Sequence, residues 1–390
     1  MSAVADRVQD EPVDVKQEVT PLELFFDLVF VFAITQVTGF VSADPTWTRL
    51  VEGLAILTAL WWAWESYVWL GNTAGSDEGT VRVVLLSAMG AMLIASLAVP
   101  RAFGDDGVIF GVAYLAVRVL HLGAYAIVSR GDPQLRYVVV RMATTMLPAS
   151  MLIVVAGALD GTAQGLVWAA ALAVDYGGLV ARGTEGWRVV ASHFSERHGL
   201  VIIIALGESI VALGVGAEGL GLDAGIIAGA LLGVAVAAAL WWAYFDFVAL
   251  IAARVLRQAP PDEQVRIARD SYTYLHLPMV AGIVLFALGV KKTLGHVGDE
   301  LETVPAVALC GGVALYLVAL SALKRRNIGS FNYPRLVAAS ALSVLAPIAR
   351  AVPAVVALGL VAAVGVARVS YETVAYAEAR DRIRHARESV

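Results

Sequence analysis

Residues 19–36 read Val-Thr-Pro-Leu-Glu-Leu-Phe-Phe-Asp-Leu-Val-Phe-Val-Phe-Ala-Ile-Thr-Gln. Thr20 at an N-cap, Pro21 at the first helical position and Glu23 at the third spell a helix start. The hydroxyl and carboxylate of such a pair cap backbone N–H groups reciprocally, and the carboxylate suits the positive end of the helix dipole. The run that follows is almost wholly apolar and long enough to become a membrane-crossing helix. One residue breaks the pattern. Asp27 lies four positions after Glu23, on the same helical face and roughly 10 Å beyond the cap, where an unpaired charge costs several kcal/mol.

The rest of the chain agrees with this opening. Of 390 residues, 59% are hydrophobic and 16% charged, with a mean hydropathy of +0.75. That is more apolar surface than a water-soluble fold can hide, so a soluble enzyme is excluded and the expected partner is a lipid bilayer. A net charge of −5 leaves no basic face for nucleic acid. The single cysteine, Cys310, provides neither an intrachain disulfide nor a multi-cysteine metal site. Residues 1–18 are polar and acidic, without the order of a cleaved signal peptide.

Cutting at polar or Gly/Pro-rich breaks gives twelve apolar segments, near 20–41, 50–70, 82–100, 108–129, 136–158, 163–182, 198–216, 224–254, 272–292, 304–323, 335–351 and 353–376. Pro347 and Pro353 leave the last two readable as spans or as a kinked, re-entrant pair. Arg and Lys collect at the termini and the even-numbered connections, as at Arg130, Arg188, Arg257 and Arg326. The opposite connections hold only Arg49, Arg101, Lys291, Lys292 and Arg350. The positive-inside rule then puts both termini in the cytoplasm of a multi-pass protein of the inner membrane.

Leu60-Trp61-Trp62-Ala63 recurs as Leu240-Trp241-Trp242-Ala243, and a shift of 181 positions lays Asp27 on Glu208, Trp61 on Trp242 and Glu65 on Asp246. The expected fold is therefore all-α, with two parallel six-helix repeats (19–182 and 195–376) between tails 1–18 and 377–390 and across a linker, 183–194. Sites in such folds gather where the halves meet near mid-membrane.

Ionisable residues inside the spans are the candidate site. Asp27, Glu65, Glu208, Asp246 and Asp175 are the candidates for binding a proton, an ion or a substrate; Glu23, Arg118, His121, Arg141, Arg368 and Glu372 form a supporting charge network. Helix rise puts most of them roughly 6–16 Å from the cytoplasmic ends, as one layer. These depths permit Asp27 and Glu65 to meet Arg141 or Arg118, and Arg368 can pair with Glu372 at i, i+4. Asp27 and Glu208 lead, because they are deep, match between repeats and lack a basic partner at i±3 or i±4. Gly207 beside Glu208 suggests a loosened helix or close packing. His121 is expected to make a structural hydrogen bond, His193 and His198 to sit at the membrane interface, and His276 at an ordinary boundary. Trp61, Trp62, Trp64, Trp241 and Trp242 read as core, and Gly225, Gly229 and Gly233 as a ladder for helix approach. No nucleophile–base pair, metal-ligand spacing or cofactor motif is present, so the chain is not read as an enzyme.

Residues 19–36, with Ser195-Glu196-Arg197-His198-Gly199-Leu200 and Ile204-Ala205-Leu206-Gly207-Glu208-Ser209, resemble the signatures of the bacterial low-temperature-requirement A (LtrA) family across nearly the whole chain. The resemblance implies a polytopic membrane protein linked to growth in the cold. Phe25-Phe26-Asp27 and the apolar run Val29 to Ile34 are similar in shape to the first helix of endolysosomal potassium channels, although Glu23 stands where that family has arginine. The leading functional expectation is a secondary transporter of a small solute, proton-coupled through intramembrane carboxylates. The rivals are a cation channel built from the two six-helix repeats, with a homo-oligomer as one form of it, and a membrane scaffold or sensor whose charges only brace helices.

Overall fold

The structure, a computed structural model, describes residues 19–73, 79–183 and 185–375; the two tails assigned to the cytoplasm lie outside these. The described chain is helical: α1 (Pro21–Ala43), α2 (Trp47–Thr73), α3 (Gly79–Ala98), α4 (Gly107–Val128), α5 (Pro133–Ala156), α6 (Gly161–Arg182), α7 (Ala191–Gly216), α8 (Ala224–Phe245), α9 (Val248–Gln258), α10 (Pro261–Ile267), α11 (Leu275–Gly295), α12 (Thr303–Ile328), α13 (Tyr333–Ile348) and α14 (Ala354–Ala375). Among the described residues, nine helical rods are long and apolar enough to cross a membrane. α2 has the length, at 27 residues, but five tryptophans with Arg49, Glu52 and Glu65 lower its hydropathy. α13, at 16 residues, is short for a span. Leu166, Leu231, Val337 and Val374 lie on an exposed apolar surface that only lipid would tolerate at this extent.

The sequence segments fall on these helices with three departures. The span expected over 224–254 stops at Phe245 and restarts at Val248, because Phe247 adopts φ −145° and ψ −42°. The span expected over 272–292 begins instead at Pro261 and passes through a π-helical turn, Ala268–Tyr274. Pro278 follows one turn later, inside α11. It has no N–H for the carbonyl of Tyr274, and a π turn is one way a helix absorbs such a mismatch. α7 starts at Ala191, inside the stretch read as a linker.

Centrality differs among the rods. The most apolar window is 72% buried in Pro261–Gly295 and in Thr303–Ile328, against 33% in Pro133–Ala156 and in Ala354–Ala375. α11 and α12 form the most extensive helix pair, and α11 also lies against α7 and α1. Their backbones come together at Gly282 and Gly312: a Cβ at Gly282 would stand 2.6 Å from the Gly312 carbonyl oxygen, and one at Gly312 would stand 2.5 Å from that of Gly282. Close approach of this kind is the usual reason for glycine between membrane helices. Gly312→Ala is therefore expected to cost about 1–3 kcal/mol, the range for overpacking, read as a lower unfolding midpoint in detergent. The Gly225, Gly229 and Gly233 ladder is different, because it receives side chains: Val297, Leu294 and Leu213 would be the first atoms met.

Candidate functional site

The site begins with the register of two helices. Glu23 and Asp27 stand two and six residues into α1, as do His193 and Arg197 into α7, so equal helix rise sets them at matching depths. The capping box at Thr20 is formed, with Glu23 N donating to Thr20 Oγ1 (3.3 Å) and Thr20 N to Glu23 Oε2 (2.9 Å). Glu23 Oε1 then meets His193 Nε2 at 3.0 Å. Asn72 accepts from Val190 N and donates to the Val190 carbonyl, which orients its amide to donate to His193 Nδ1 (3.5 Å). His193 Nε2 is thereby the donor to Glu23. One level deeper, Asp27 Oδ1 accepts from Arg197 Nη2 (2.7 Å) and Trp64 Nε1 (2.8 Å). Asp27 is wholly buried, Arg197 nearly so, and the guanidinium lies over the Trp64 ring at 5.7 Å.

These partners correct the sequence expectations. Asp27 pairs with Arg197 instead of Arg141 or Arg118, and Glu65 pairs with His198. His193 and His198 are buried in the bundle, because α7 starts early enough to carry them inward beside α1 and α2.

Glu65 is the pivot of the next group. Its Oε1 lies 2.7 Å from His198 Nε2, and its Oε2 accepts from Thr273 Oγ1 (3.2 Å) in the π turn. His198 Nδ1 lies 2.8 Å from the Phe194 carbonyl, which can only accept, so Nδ1 carries a proton. A neutral His198 would then present a lone pair from Nε2 to a carboxylate oxygen. One proton must therefore sit between Glu65 and His198, on one or the other. His276 adjoins His198 with ring centroids 5.0 Å apart. Its Nδ1 faces the Ser271 carbonyl (2.9 Å) and its Nε2 faces Tyr244 Oη (2.9 Å). This satisfies a neutral imidazole and removes His276 from the ordinary boundary. Trp61 Nε1 donates to the Thr273 carbonyl and Trp69 Nε1 to Thr273 Oγ1, so the indoles anchor the π turn as well as filling the core.

Glu65 also lines a cleft of about 720 Å³ of empty volume, counted out to its open mouth. α2, α4, α5 and α6 supply most of the wall; Trp187 of the α6–α7 connection and Val265, Arg269 and Thr273 complete it. Arg118 is clasped in it: Nη2 donates to both Asp175 oxygens at 3.1 Å, and Nη1 donates to the Trp62 carbonyl and to Ser66 Oγ. Trp62 stacks on Tyr176 with centroids 4.3 Å apart. His121 lines the same cleft, only 1% exposed, with the Ser66 backbone as its hydrogen-bonding neighbour. Arg118→Met is expected to cost about 3 kcal/mol, the lower end for breaking a buried pair, since the Asp175 carboxylate loses its guanidinium but keeps Tyr114; a thermal melt in detergent measures it.

The sequence matches the family model "Bacterial low temperature requirement A protein (LtrA)" over residues 18–370. The chain belongs to the LtrA family. An uncharacterized protein of Rhizobium meliloti (strain 1021) is 30% identical to it over 320 residues, 78% of this chain and 76% of that one.

In this LtrA protein the remaining candidates lie apart from the Glu65 cleft, so the ionisable residues fall into separate groups. Glu208 is buried and accepts from Thr35 Oγ1 at 2.5 Å. Gly207 neither loosens α7, which is regular through 207–209, nor admits a close neighbour, since a Cβ there would meet nothing within 4 Å. Arg368 and Glu372 pair at 2.9 Å as expected, and Arg335 joins them, with Nε and Nη2 on the two carboxylate oxygens (2.8 and 3.2 Å). Asp246 follows α8 and lines a second cavity beside this trio. Among the described residues no group of three or more His, Cys, Asp or Glu is arranged to hold a metal ion.

Proposed function

We propose that this LtrA-family chain is a proton-coupled secondary transporter of the bacterial inner membrane, in which a small solute enters the cleft beside Glu65. The carrying observation is the 2.7 Å contact between Glu65 and His198 Nε2, with Nδ1 already committed to a carbonyl. A carboxylate that lines a cleft and shares one proton with a buried imidazole has the makings of an exchange site. A solute displacing Thr273 from Glu65, or bringing its own charge, would change which partner holds the proton. Asp27, locked to Arg197 and Trp64, serves as the brace. Glu208 with Thr35 lies ten residues along α7 from His198, about 15 Å by helix rise, and is the exchange group toward the opposite side.

The proposed membrane arrangement is twelve spans in two parallel repeats with cytoplasmic termini. Supporting it, the Glu65 cleft draws on α2, α4, α5 and α6, while the second cavity draws on α8 and α12–α14 together with α9. Counting α8–α9 and α10–α11 as one span each, these are the second, fourth, fifth and sixth spans of each half. The cleft takes part of its wall from the α6–α7 connection, which bears Arg188 and would face the cytoplasm. No chemical step is assigned to the protein.

The test is reconstitution into liposomes that enclose a pH-sensitive dye, with amino acids, short carboxylates and amines as the probes. A solute-dependent change in internal pH, and solute uptake driven by an imposed pH gradient, are expected. A silent panel removes the transport reading, and unitary currents far above carrier turnover would replace it with a channel.

A further inference from the structure

The second cavity carries a chemistry of its own. It encloses about 670 Å³ of empty volume where α8 meets α9, beside the end of α12 and the start of α13. The donors in its lining include Lys324, Asn327 and Arg335; Asn332 Nδ2 also lies there, spent on Glu372 Oε1. Arg335 is only 4% exposed; its Nε and Nη2 are spent on Glu372, yet Nη1 has no partner. Asn327 Oδ1 accepts from Ser271 Oγ at 2.5 Å, which fixes the amide, and its Nδ2 is buried and unpartnered. Leaving such donors unmet inside a protein is costly, more so for a charged group. Two carboxylates, Glu372 and Asp246, face three cations once Arg368 is counted, because Arg368 shares Glu372.

We infer that this cavity binds a phosphate-bearing anion, held by Arg335 Nη1, Asn327 Nδ2 and Lys324. A guanidinium edge, an amide and an ammonium together match tetrahedral oxygens. Phe247, Val248, Ile251 and Leu323 give the lining an apolar side, and Ile328 at the end of α12 is 47% exposed. A headgroup phosphate with an acyl chain against that wall suits the site, and basic pockets between membrane helices take anionic lipids in this way. The site is independent of the Glu65 cleft and of any transport activity.

The experiment uses the full chain in nanodiscs and detergent. Phosphatidylglycerol and phosphatidylcholine are compared by native mass spectrometry, and inorganic phosphate by titration calorimetry. Phosphatidylglycerol should be retained about tenfold over phosphatidylcholine, with the preference lost in Arg335→Gln and Lys324→Gln but kept in Lys292→Gln; one charge-assisted hydrogen bond is worth a factor of this size. Lys324→Gln breaks no ion pair seen among the described residues, so it reports binding even if Arg335→Gln fails to fold. Inorganic phosphate that binds wild type but not Lys324→Gln, without lipid preference, would assign the same site to a soluble phosphate. Equal retention of both lipids with no phosphate binding, or equal losses in Lys324→Gln and Lys292→Gln, would overturn the inference.

Discussion

Glu65→Gln is expected to abolish solute-coupled proton movement, by about a hundredfold or more, while the protein still folds. The amide is nearly the same shape as the carboxylate and can donate from its nitrogen to His198 Nε2, so the 2.7 Å contact survives with fixed protons. Its oxygen can still accept from Thr273. What disappears is the one shared proton, and groups that relay protons commonly account for factors of about 10²–10⁴. The dye-loaded liposomes read the loss, and a melting temperature close to wild type shows that the fold is intact. Wild-type coupling in the variant would end the case for Glu65 as the exchange group. Glu208→Gln is the companion measurement: a slower exchange limited to the opposite side is expected of it.

Asp27→Leu should act on stability. It leaves the Arg197 guanidinium almost completely buried with only Glu23 at 3.8 Å in reach. Breaking a buried pair from one side costs about 3–5 kcal/mol, because the stranded charge keeps its desolvation penalty. The residual contact with Glu23 places the expectation at the lower end. The double variant Asp27→Leu, Arg197→Met removes both charges and should recover most of the loss, which a double-mutant cycle of unfolding midpoints resolves. A neutral effect of the single variant would mean that water reaches Arg197, and the bracing role would fail.

The sequence made the helix ends and the within-helix pairs legible, and little of how helices meet. The capping box at Thr20 and the Arg368–Glu372 pair depend on residues three or four apart, and both are formed. The Asp27–Arg197 and Glu65–His198 pairs span 170 and 133 positions. They depend on α7 lying in parallel register with α1, which no local spacing states. Hydropathy also worked against finding them: Ser195-Glu196-Arg197-His198 reads as a polar flank, although the helix starts at Ala191 and draws Arg197 and His198 inside, leaving Glu196 exposed. Internal similarity was a partial guide. It laid Asp27 on Glu208, but the two residues do not meet, since each bonds to the other's helix, at Arg197 and Thr35. The π turn had no signal beyond Pro278.

Ala268–Tyr274 is wound with surplus backbone, and surplus of this sort can be taken up or paid out like slack in a thread. With Gly282 held against Gly312, moving the surplus residue one turn along the rod would swivel only the stretch between, around Leu275 and His276, by about 100° about the rod's axis. His276 would then swing off both His198 and Tyr244, and Thr273 would release Glu65, two events that one local rewinding delivers together.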